Sequence, residues 1–251
     1  MRELIARLAR DSDEALALAR VLDLAQQAER RGQQAGDFLE PRLQQLTTKL
    51  MSRQTQVQVD WQGGYTEAER KRIVLYRPLS LPANSCALLL LKADKELQHR
   101  DCLGSLLGLG LRREKVGDIV LAGASGYLIV AQEVGEFVAA NLMRVGRQDV
   151  VVNLVDVIAD LEPVAPKVIT TTVASMRLDA IMAAGFDLSR SDAGHLIKAE
   201  KVKVNYLATV HLDQQLQEGD LISVRGYGRL KLILLGGKNR KARQRLTLER
   251  Y

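Results

Sequence analysis

The chain has 251 residues, of which 47% are apolar and 26% are charged, and its formal net charge is +6. This length predicts two or three domains, and the composition excludes a disordered chain, a collagen-like repeat and a disulfide-rich scaffold. The charge excess lies in the last third, because residues 173–251 contain 14 Lys and Arg against 8 Asp and Glu. That asymmetry indicates a module that binds a polyanion, and an aromatic content of 4% is too low for an extended base-stacking platform.

The first 62 residues are predicted to form a helical module. Residues 11–14 match a capping box for a helix that ends before Gly32, and residues 37–40 match a second capping box with Pro41 in the first turn that follows. The apolar stripes of these helices are expected to face a core.

The middle segment, residues 63–165, is predicted to form a βαββαβ domain. Helices are expected on one face of a mostly antiparallel sheet. Alternating and apolar runs predict strands at 57–61, 73–76, 86–91, 118–121, 127–131 and 150–157, and helical spacing predicts helices at 97–107 and 133–145.

The C-terminal segment, residues 173–251, follows a predicted linker at 162–166 that continues into the threonines at 170–172. A short helix is expected at 177–184 with Gly185 as its C-terminal cap, and Ser189 opens a second helix. Strands are predicted at 201–205, 221–225 and 229–235, before a basic tail at 238–245.

A ridge of cations is predicted on this C-terminal segment. Arg190, Gly194 and Lys198 share one helix face, and Lys201 and Lys203 follow on the exposed face of the next strand. Such a ridge suits the phosphates of a folded nucleic acid. A solvated basic face without a ligand is the alternative interpretation.

The same segment resembles the S4-type RNA-binding domain. The resemblance rests on the following positions: Arg177, Leu178, Asp179, Ser189, Arg190, Ala193, Ile197, Val202, Val204, Asn205, Gly219 and Asp220. It implies an αL-shaped surface that grips structured RNA such as rRNA or tRNA. The candidate RNA-binding residues are Arg177, Arg190, Lys198, Lys201, Lys203, Asn205, Arg225 and Arg229. The sequence departs from the S4 pattern at Glu200 and Tyr206, where many members have glycine.

Nearly the whole chain also resembles the YlmH-like proteins, whose photosynthetic members are often labelled photosystem II S4 domain proteins. The resemblance rests on the residues at 63–65, 68–70, 99–104, 107–110 and 117–119. It implies an RRM-like middle domain and, for bacterial relatives, action on large ribosomal subunits that carry stalled peptidyl-tRNA.

Other motifs in the chain predict little chemistry. A second RNA contact is a weaker hypothesis for the basic residues of the middle segment: Arg100, Arg112, Arg113 and Lys115. The two cysteines, Cys86 and Cys102, give no zinc spacing with His195 and His211, so we expect no metal site, no cofactor and reduced, buried thiols. Tyr127 lacks the aromatic pattern with which RRM sheets stack bases, and it is expected to pack in the core.

The leading hypothesis is a cytoplasmic, non-enzymatic protein without a membrane span that recognises rRNA or tRNA on the ribosome through residues 177–245, in quality control or translation. An RNA-modifying enzyme such as a pseudouridine synthase remains an alternative, although the one Arg-Leu-Asp here, at 177–179, belongs to the S4-type module. An assembly factor for photosystem II that acts through protein contacts is the third hypothesis.

Overall fold

The computed structural model describes residues 2–52, 56–158 and 166–251. The chain divides into two compact units, residues 1–164 and residues 165–251. Each unit combines helices with antiparallel sheets. None of the described helices is long and apolar enough to cross a membrane. Most of the linker predicted at 162–166 lies outside the described residues.

The first unit contains two sheets and the helices that pack on them. Its elements in chain order are α1 (Arg2–Leu8), α2 (Ser12–Arg31), β1 (Gln33–Leu39), α3 (Pro41–Met51), β2 (Gln58–Gln62), β3 (Lys71–Tyr76), β4 (Cys86–Ala93), α4 (His99–Gly108), β5 (Val116–Ala122), β6 (Ser125–Ala131), α5 (Gly135–Asn141), β7 (Arg144–Val145) and β8 (Gln148–Val155).

The start of the chain is not a purely helical module, so that prediction is wrong. β1 pairs with β3, which also pairs with β2, in a three-stranded antiparallel sheet of order β1-β3-β2. β3 therefore belongs to the N-terminal part and not to the middle sheet. The polar sequence of β1 gives little strand signal, and its pairing partner β3 is more than 30 residues away.

One of the two predicted N-terminal capping boxes is confirmed and the other is wrong. The Asp11 carboxylate accepts a hydrogen bond from the Glu14 backbone N–H at 2.9 Å, and α2 ends at Gly32 with a φ of 95°. Asp37, by contrast, lies inside β1, and α3 begins after Glu40, whose side chain makes no capping hydrogen bond. Pro41 occupies the first turn as predicted, where its missing N–H has no cost.

The middle sheet has the strand order β5-β6-β4-β8-β7 and is antiparallel throughout. The elements follow the chain as strand, helix, strand, strand, helix, strand, with the short β7 added before β8. Cys102 and Leu106 of α4 and Val138 of α5 pack against one face of this sheet. α5 is shorter than the predicted helix at 133–145, because residues 144 and 145 pair with β8.

The other face of the middle sheet is covered by the N-terminal part of the chain. Phe38 of β1 is 1% exposed and packs with Leu88, Tyr127 and Ile129 of the sheet. A Cβ at Gly117 would lie 2.7 Å from the Phe38 ring, so glycine permits this close approach. The two parts of the first unit therefore share an apolar interface.

A buried arginine adds polar contacts to that interface. Arg72 of β3 has a side chain only 2% exposed, and its guanidinium donates hydrogen bonds to the Gly36 and Ser85 carbonyls and to both Glu133 carboxylate oxygens. Lys115 contacts the same Glu133 at 2.8 Å. Burial opposes ionisation of Glu133, but the hydrogen bonds from Arg72 and Lys115 outweigh it and lower the pKa of Glu133 to about 2.

The second unit consists of a six-stranded antiparallel sheet and two helices. Its elements are β9 (Lys167–Val173), α6 (Leu178–Phe186), α7 (Arg190–Lys198), β10 (Val202–Val204), β11 (Leu207–Ala208), β12 (Leu221–Val224), β13 (Gly228–Lys238) and β14 (Gln244–Arg250). The strand order is β11-β10-β12-β13-β14-β9. Both helices pack on one face of the sheet, and we call the opposite face the outer face.

Three predictions for this unit are wrong. The threonines at 170–172 belong to β9 and pair with β14, so they are not a linker. The expected basic tail contains the turn between β13 and β14, and Leu246 and Leu248 anchor β14 in the core. Gly185 lies inside α6, where a Cβ would meet Leu230 at 2.3 Å, and Asp187 with a φ of 58° caps the helix instead.

Candidate nucleic-acid interface

Two of the eight candidate residues, Arg177 and Arg190, converge on one carboxylate. Arg177 donates to Asp179 at 3.1 and 3.2 Å, and Arg190 donates to Asp179 at 2.5 Å. The Asp179 side chain is 7% exposed, and although burial raises its pKa, the hydrogen bonds from the two arginines lower the pKa by more. This triad joins the starts of α6 and α7, and the carboxylate offsets part of the arginine charge.

Five other candidates lie at one end of the sheet, which we call the basic end: Lys198, Lys201, Lys203, Arg225 and Arg229. In this antiparallel arrangement β10 begins, β12 ends and β13 begins at the same end. The Arg225 backbone N–H donates to the Lys201 carbonyl at 2.9 Å, which fixes two of these residues side by side. Lys198 is in the last turn of α7, three residues before Lys201.

The sheet register brings the remaining members of the basic end onto the outer face. Lys203 lies opposite Ser223, and Ser223 lies opposite Arg229. Val202 and Val204 are buried on the other face, as the alternation predicts. All five side chains are exposed, and Lys198, Lys201, Lys203 and Arg225 have no ion-pair partner within the part of the chain that the structure describes.

Glu200 connects α7 to the basic end in a strained conformation. The Lys201 N–H donates to the Leu196 carbonyl and the Glu200 N–H donates to the Ile197 carbonyl, which is the Schellman pattern of a helix end. Glu200 has a φ of 56°, in the left-handed region that favours glycine. The position at which the sequence departs from the S4 pattern thus has the backbone of a glycine.

Replacing this residue is expected to improve both stability and RNA binding. The Glu200→Gly variant should unfold with a free energy about 1 kcal/mol higher, because glycine removes the left-handed strain. It should also bind RNA two- to threefold more tightly (about 0.5 kcal/mol), because a carboxylate next to Lys201 is lost. Thermal unfolding and filter binding measure the two effects. Glu200→Gln is the control, because it removes the charge and keeps the strain; an equal stabilisation by glutamine would contradict the backbone explanation.

Asn205 follows the other end of the short strand β10, two residues after Lys203, and has a structural role there. Its φ is 48°, its side-chain amide donates to Asp220 at 2.7 Å, and its side-chain oxygen accepts from the Leu221 N–H at 2.9 Å. These contacts hold the turn between β10 and β11 against the start of β12. The structure therefore separates Asn205 from the basic end.

Two of the four cations of the second predicted RNA contact are held by internal contacts. Lys115 is bound to Asp37 and Glu133, each at 2.8 Å, and Arg113 donates to the carbonyls of Val116 and Gly117. Arg112 is exposed, and the Arg100 side chain is 86% exposed and lies 3.4 Å from Asp101. Two of the four cations are thus used within the first unit.

Tyr127 of the middle sheet is buried and therefore not available for base stacking. Tyr127 is 4% exposed and packs in the cluster that contains Phe38.

Burial raises the pKa of Cys86 and of Cys102 to about 11, so both are held as thiols. Among residues 2–52, 56–158 and 166–251, no group of three or more His, Cys, Asp or Glu could hold a metal ion.

Comparisons with known proteins cover most of the chain. Residues 13–79 match a family model described as "YlmH, N-terminal", and residues 92–158 match one described as "Putative RNA-binding domain in YlmH". "Ribosome-associated protein quality control protein P2" of Bacillus subtilis is 37% identical over 222 residues, with 85% of this chain and 86% of the relative covered. The chain belongs to the YlmH family.

A solved structure of the YlmH family shares the fold of part of the chain. "Cell division protein ylmH from Streptococcus pneumoniae" superposes with a TM-score of 0.52 at 17% identity, over 58% of this chain and 93% of that one. The YlmH family models meet between residues 79 and 92, where β3 ends and β4 begins. This position agrees with the assignment of β3 to the N-terminal sheet.

The sequence of this YlmH-family chain predicted a second group of cations, at 238–245, but not its place in the fold. The residues interpreted as a tail form the tip of the β13–β14 hairpin, with Lys238, Arg240, Lys241, Arg243 and Arg245. The signal was present as a run of ten residues, 236–245, with five cations and no acidic residue. Alternation of Leu246 and Leu248 after this run could have identified the returning strand.

Proposed function

We propose that this YlmH-family chain is a non-enzymatic, cytoplasmic RNA-binding protein that recognises rRNA and tRNA on the large ribosomal subunit in quality control of translation. The observation that carries this is the basic end, where four exposed cations have no carboxylate partner in the described residues: Lys198, Lys201, Lys203 and Arg225. The name of the Bacillus subtilis relative supports a ribosome-associated role. In this proposal the second unit is an S4-type domain and the middle sheet with α4 and α5 is an RRM-like domain.

The electrostatic part of the proposal has a direct test. Neutralising about five phosphates predicts that log affinity falls with log salt at a slope near −4. Filter binding of the full chain to a large-subunit rRNA stem-loop, between roughly 50 and 200 mM salt, measures this slope. A slope near zero would reject phosphate binding.

Two other experiments test the alternative functions. Altered nucleosides in RNA recovered after incubation with the protein would support a modifying enzyme. Crosslinking in cells to photosystem subunits without RNA would support an assembly factor.

The middle domain is a second candidate for the RNA contact. The description of the family model for residues 92–158 favours it. Since Phe38 and Tyr65 cover one face of its sheet, such a contact would use the exposed cations near α4 and β7: Lys92, Lys95, Arg100, Arg112, Arg144 and Arg147. Arg144 lies 3.1 Å from Asp149 and Arg100 lies beside Asp101, so carboxylates offset part of this charge.

A further inference from the structure

The tip of the β13–β14 hairpin forms a compact cationic projection, which we call the basic hairpin (residues 238–245). Hydrogen bonds within the turn fix its tip. The Asn239 side-chain oxygen accepts hydrogen bonds from the N–H groups of Lys241 and Arg243 at 2.9 and 3.0 Å, and the Ala242 N–H donates to the Asn239 carbonyl at 2.9 Å. Arg243 donates to the Thr172 carbonyl at 2.6 Å and to its hydroxyl at 3.1 Å, which attaches the tip to β9. The cations are therefore presented on a fixed support.

The charge of the basic hairpin is not offset within the described residues. Lys238, Arg240, Lys241 and Arg245 are exposed, and none of them has a carboxylate within 4.0 Å in the ranges that the structure covers. Three cations of the first unit differ in this respect, since Arg42, Arg72 and Lys115 are each paired with Glu or Asp. A cluster of like charges without carboxylates is destabilising unless a polyanion binds to it.

The basic hairpin lies at the end of the sheet opposite the basic end. β13 begins at Gly228, beside Arg229, and ends at Lys238, ten residues after Gly228. At about 3.3 Å per residue this strand separates the two groups by roughly 33 Å. Between them the outer face carries Lys231, with Glu249 in register opposite it, and Arg245 follows on the same face because Leu246 beside it is buried.

We propose that the basic hairpin is a second phosphate-binding site, and that one RNA double helix lies along the outer face and contacts both the hairpin and the basic end. The proposal rests on the function proposed above and deepens it, because it specifies the length and form of the RNA. A separation of roughly 33 Å corresponds to about twelve base pairs of an A-form RNA helix, at ~2.8 Å each. The tip contains no aromatic residue, so it binds the backbone of a duplex rather than unstacked bases.

The test uses two RNA stem-loops, of 6 and 14 base pairs, and the full chain with three substitutions, Lys238→Ala, Arg240→Ala and Lys241→Ala. These substitutions leave the hydrogen bonds of Asn239 and Arg243 in place. An unchanged melting curve by circular dichroism verifies that the variant folds. On the long stem the triple variant should bind at least 30-fold more weakly, with a salt slope less negative by about 3, because three phosphate contacts are lost and the remaining site binds alone. On the short stem, which cannot reach both sites, the loss should stay below about twofold.

The outcomes separate this proposal from the proposed function. If the triple variant binds the long stem as tightly and with the same salt slope as the wild type, the second site does not exist, although RNA binding stands. If the wild type binds neither stem, the proposed function itself fails. Binding to anionic phospholipid vesicles that the triple variant loses, while its RNA affinities stay unchanged, would overturn the proposal in favour of a membrane surface.

Discussion

Replacing Arg72 with methionine is expected to destabilise the first unit by about 4 kcal/mol. The substitution leaves the Gly36 and Ser85 carbonyls without their buried donor and removes one of the two cationic partners of Glu133, which keeps Lys115. Each unsatisfied buried acceptor costs about 1–3 kcal/mol, and the lost contact with Glu133 adds less than about 1 kcal/mol because that carboxylate is half exposed to water. Trp61 is the only tryptophan and lies in β2, so urea titration followed by its fluorescence reports on this unit.

Arg77→Met is the matched control for that experiment. Arg77 also donates to backbone carbonyls, those of Glu29 and Arg30, but its contacts are exposed to water. The same substitution should therefore cost less than about 1 kcal/mol there. Equal losses in the two variants would show that burial of Arg72 contributes nothing.

The pH dependence of the Arg72 effect follows from Glu133. The pKa of Glu133 is lowered in the folded state from its ordinary value of 4.5 to about 2. A lowered folded-state pKa means that the ionised carboxylate stabilises the fold above about pH 4.5, and that this stability is lost as the pH falls towards 2. The difference in unfolding free energy between wild type and Arg72→Met should accordingly shrink over that interval. A difference that stays constant would argue against the ion pair.

Reversing two charges at the basic end is expected to weaken RNA binding by about a hundredfold near 100 mM salt. Lys203 is exposed on β10 and Lys201 immediately precedes that strand, and neither has a carboxylate partner in the described residues. In the double variant Lys201→Glu, Lys203→Glu two phosphate contacts are lost and two repulsions are added, so the salt slope should become less negative by about 2. Filter binding with a 14-base-pair stem-loop measures both quantities.

Two other double charge-reversal variants identify where the loss of RNA affinity arises. Arg20→Glu with Lys49→Glu gives the same change in net charge on exposed positions of α2 and α3, and it should alter affinity less than threefold. Arg100→Glu with Arg112→Glu makes the equivalent change in the middle domain. A loss with the middle-domain pair and none with Lys201 and Lys203 would place the contact in residues 92–158 and refute the basic end.

Local signals predicted the helices of this fold well. Asp11 and Ser189 are confirmed as N-terminal caps, because a cap depends on residues only three positions away. The alternation from Val202 to Val204 is likewise confirmed. Each of these signals is complete within a few residues of sequence.

Pairings between distant segments could not be predicted. β9 and β14 are neighbours in the sheet although about 75 residues separate them in the chain, and no local signal indicates that they pair. Gly185 was interpreted as a cap, whereas Leu230 of β13 requires glycine there. Strand formation depends on the partner strand and on burial more than on intrinsic propensity, so these elements needed the tertiary structure.

The candidate site was predicted in content but not in arrangement. The charge excess after residue 173 is visible in the composition. Which candidate residues lie together depends on the register of β10, β12 and β13. This register places Lys201, Arg225 and Arg229 at one end of these strands and Asn205 at the other end of β10. The convergence of Arg177 and Arg190 on Asp179 likewise arises only when α6 and α7 pack together.

The position of Phe38 has a consequence for how the protein is made. The residues that cover the middle sheet precede that sheet in the chain, and β1 is synthesised about 50 residues before β4. Since domains fold progressively from the N-terminus during synthesis, the cover has left the ribosome when Leu88, Tyr127 and Ile129 emerge. The apolar sheet face can therefore be shielded as soon as it is translated, which limits its exposure to aggregation in the nascent chain.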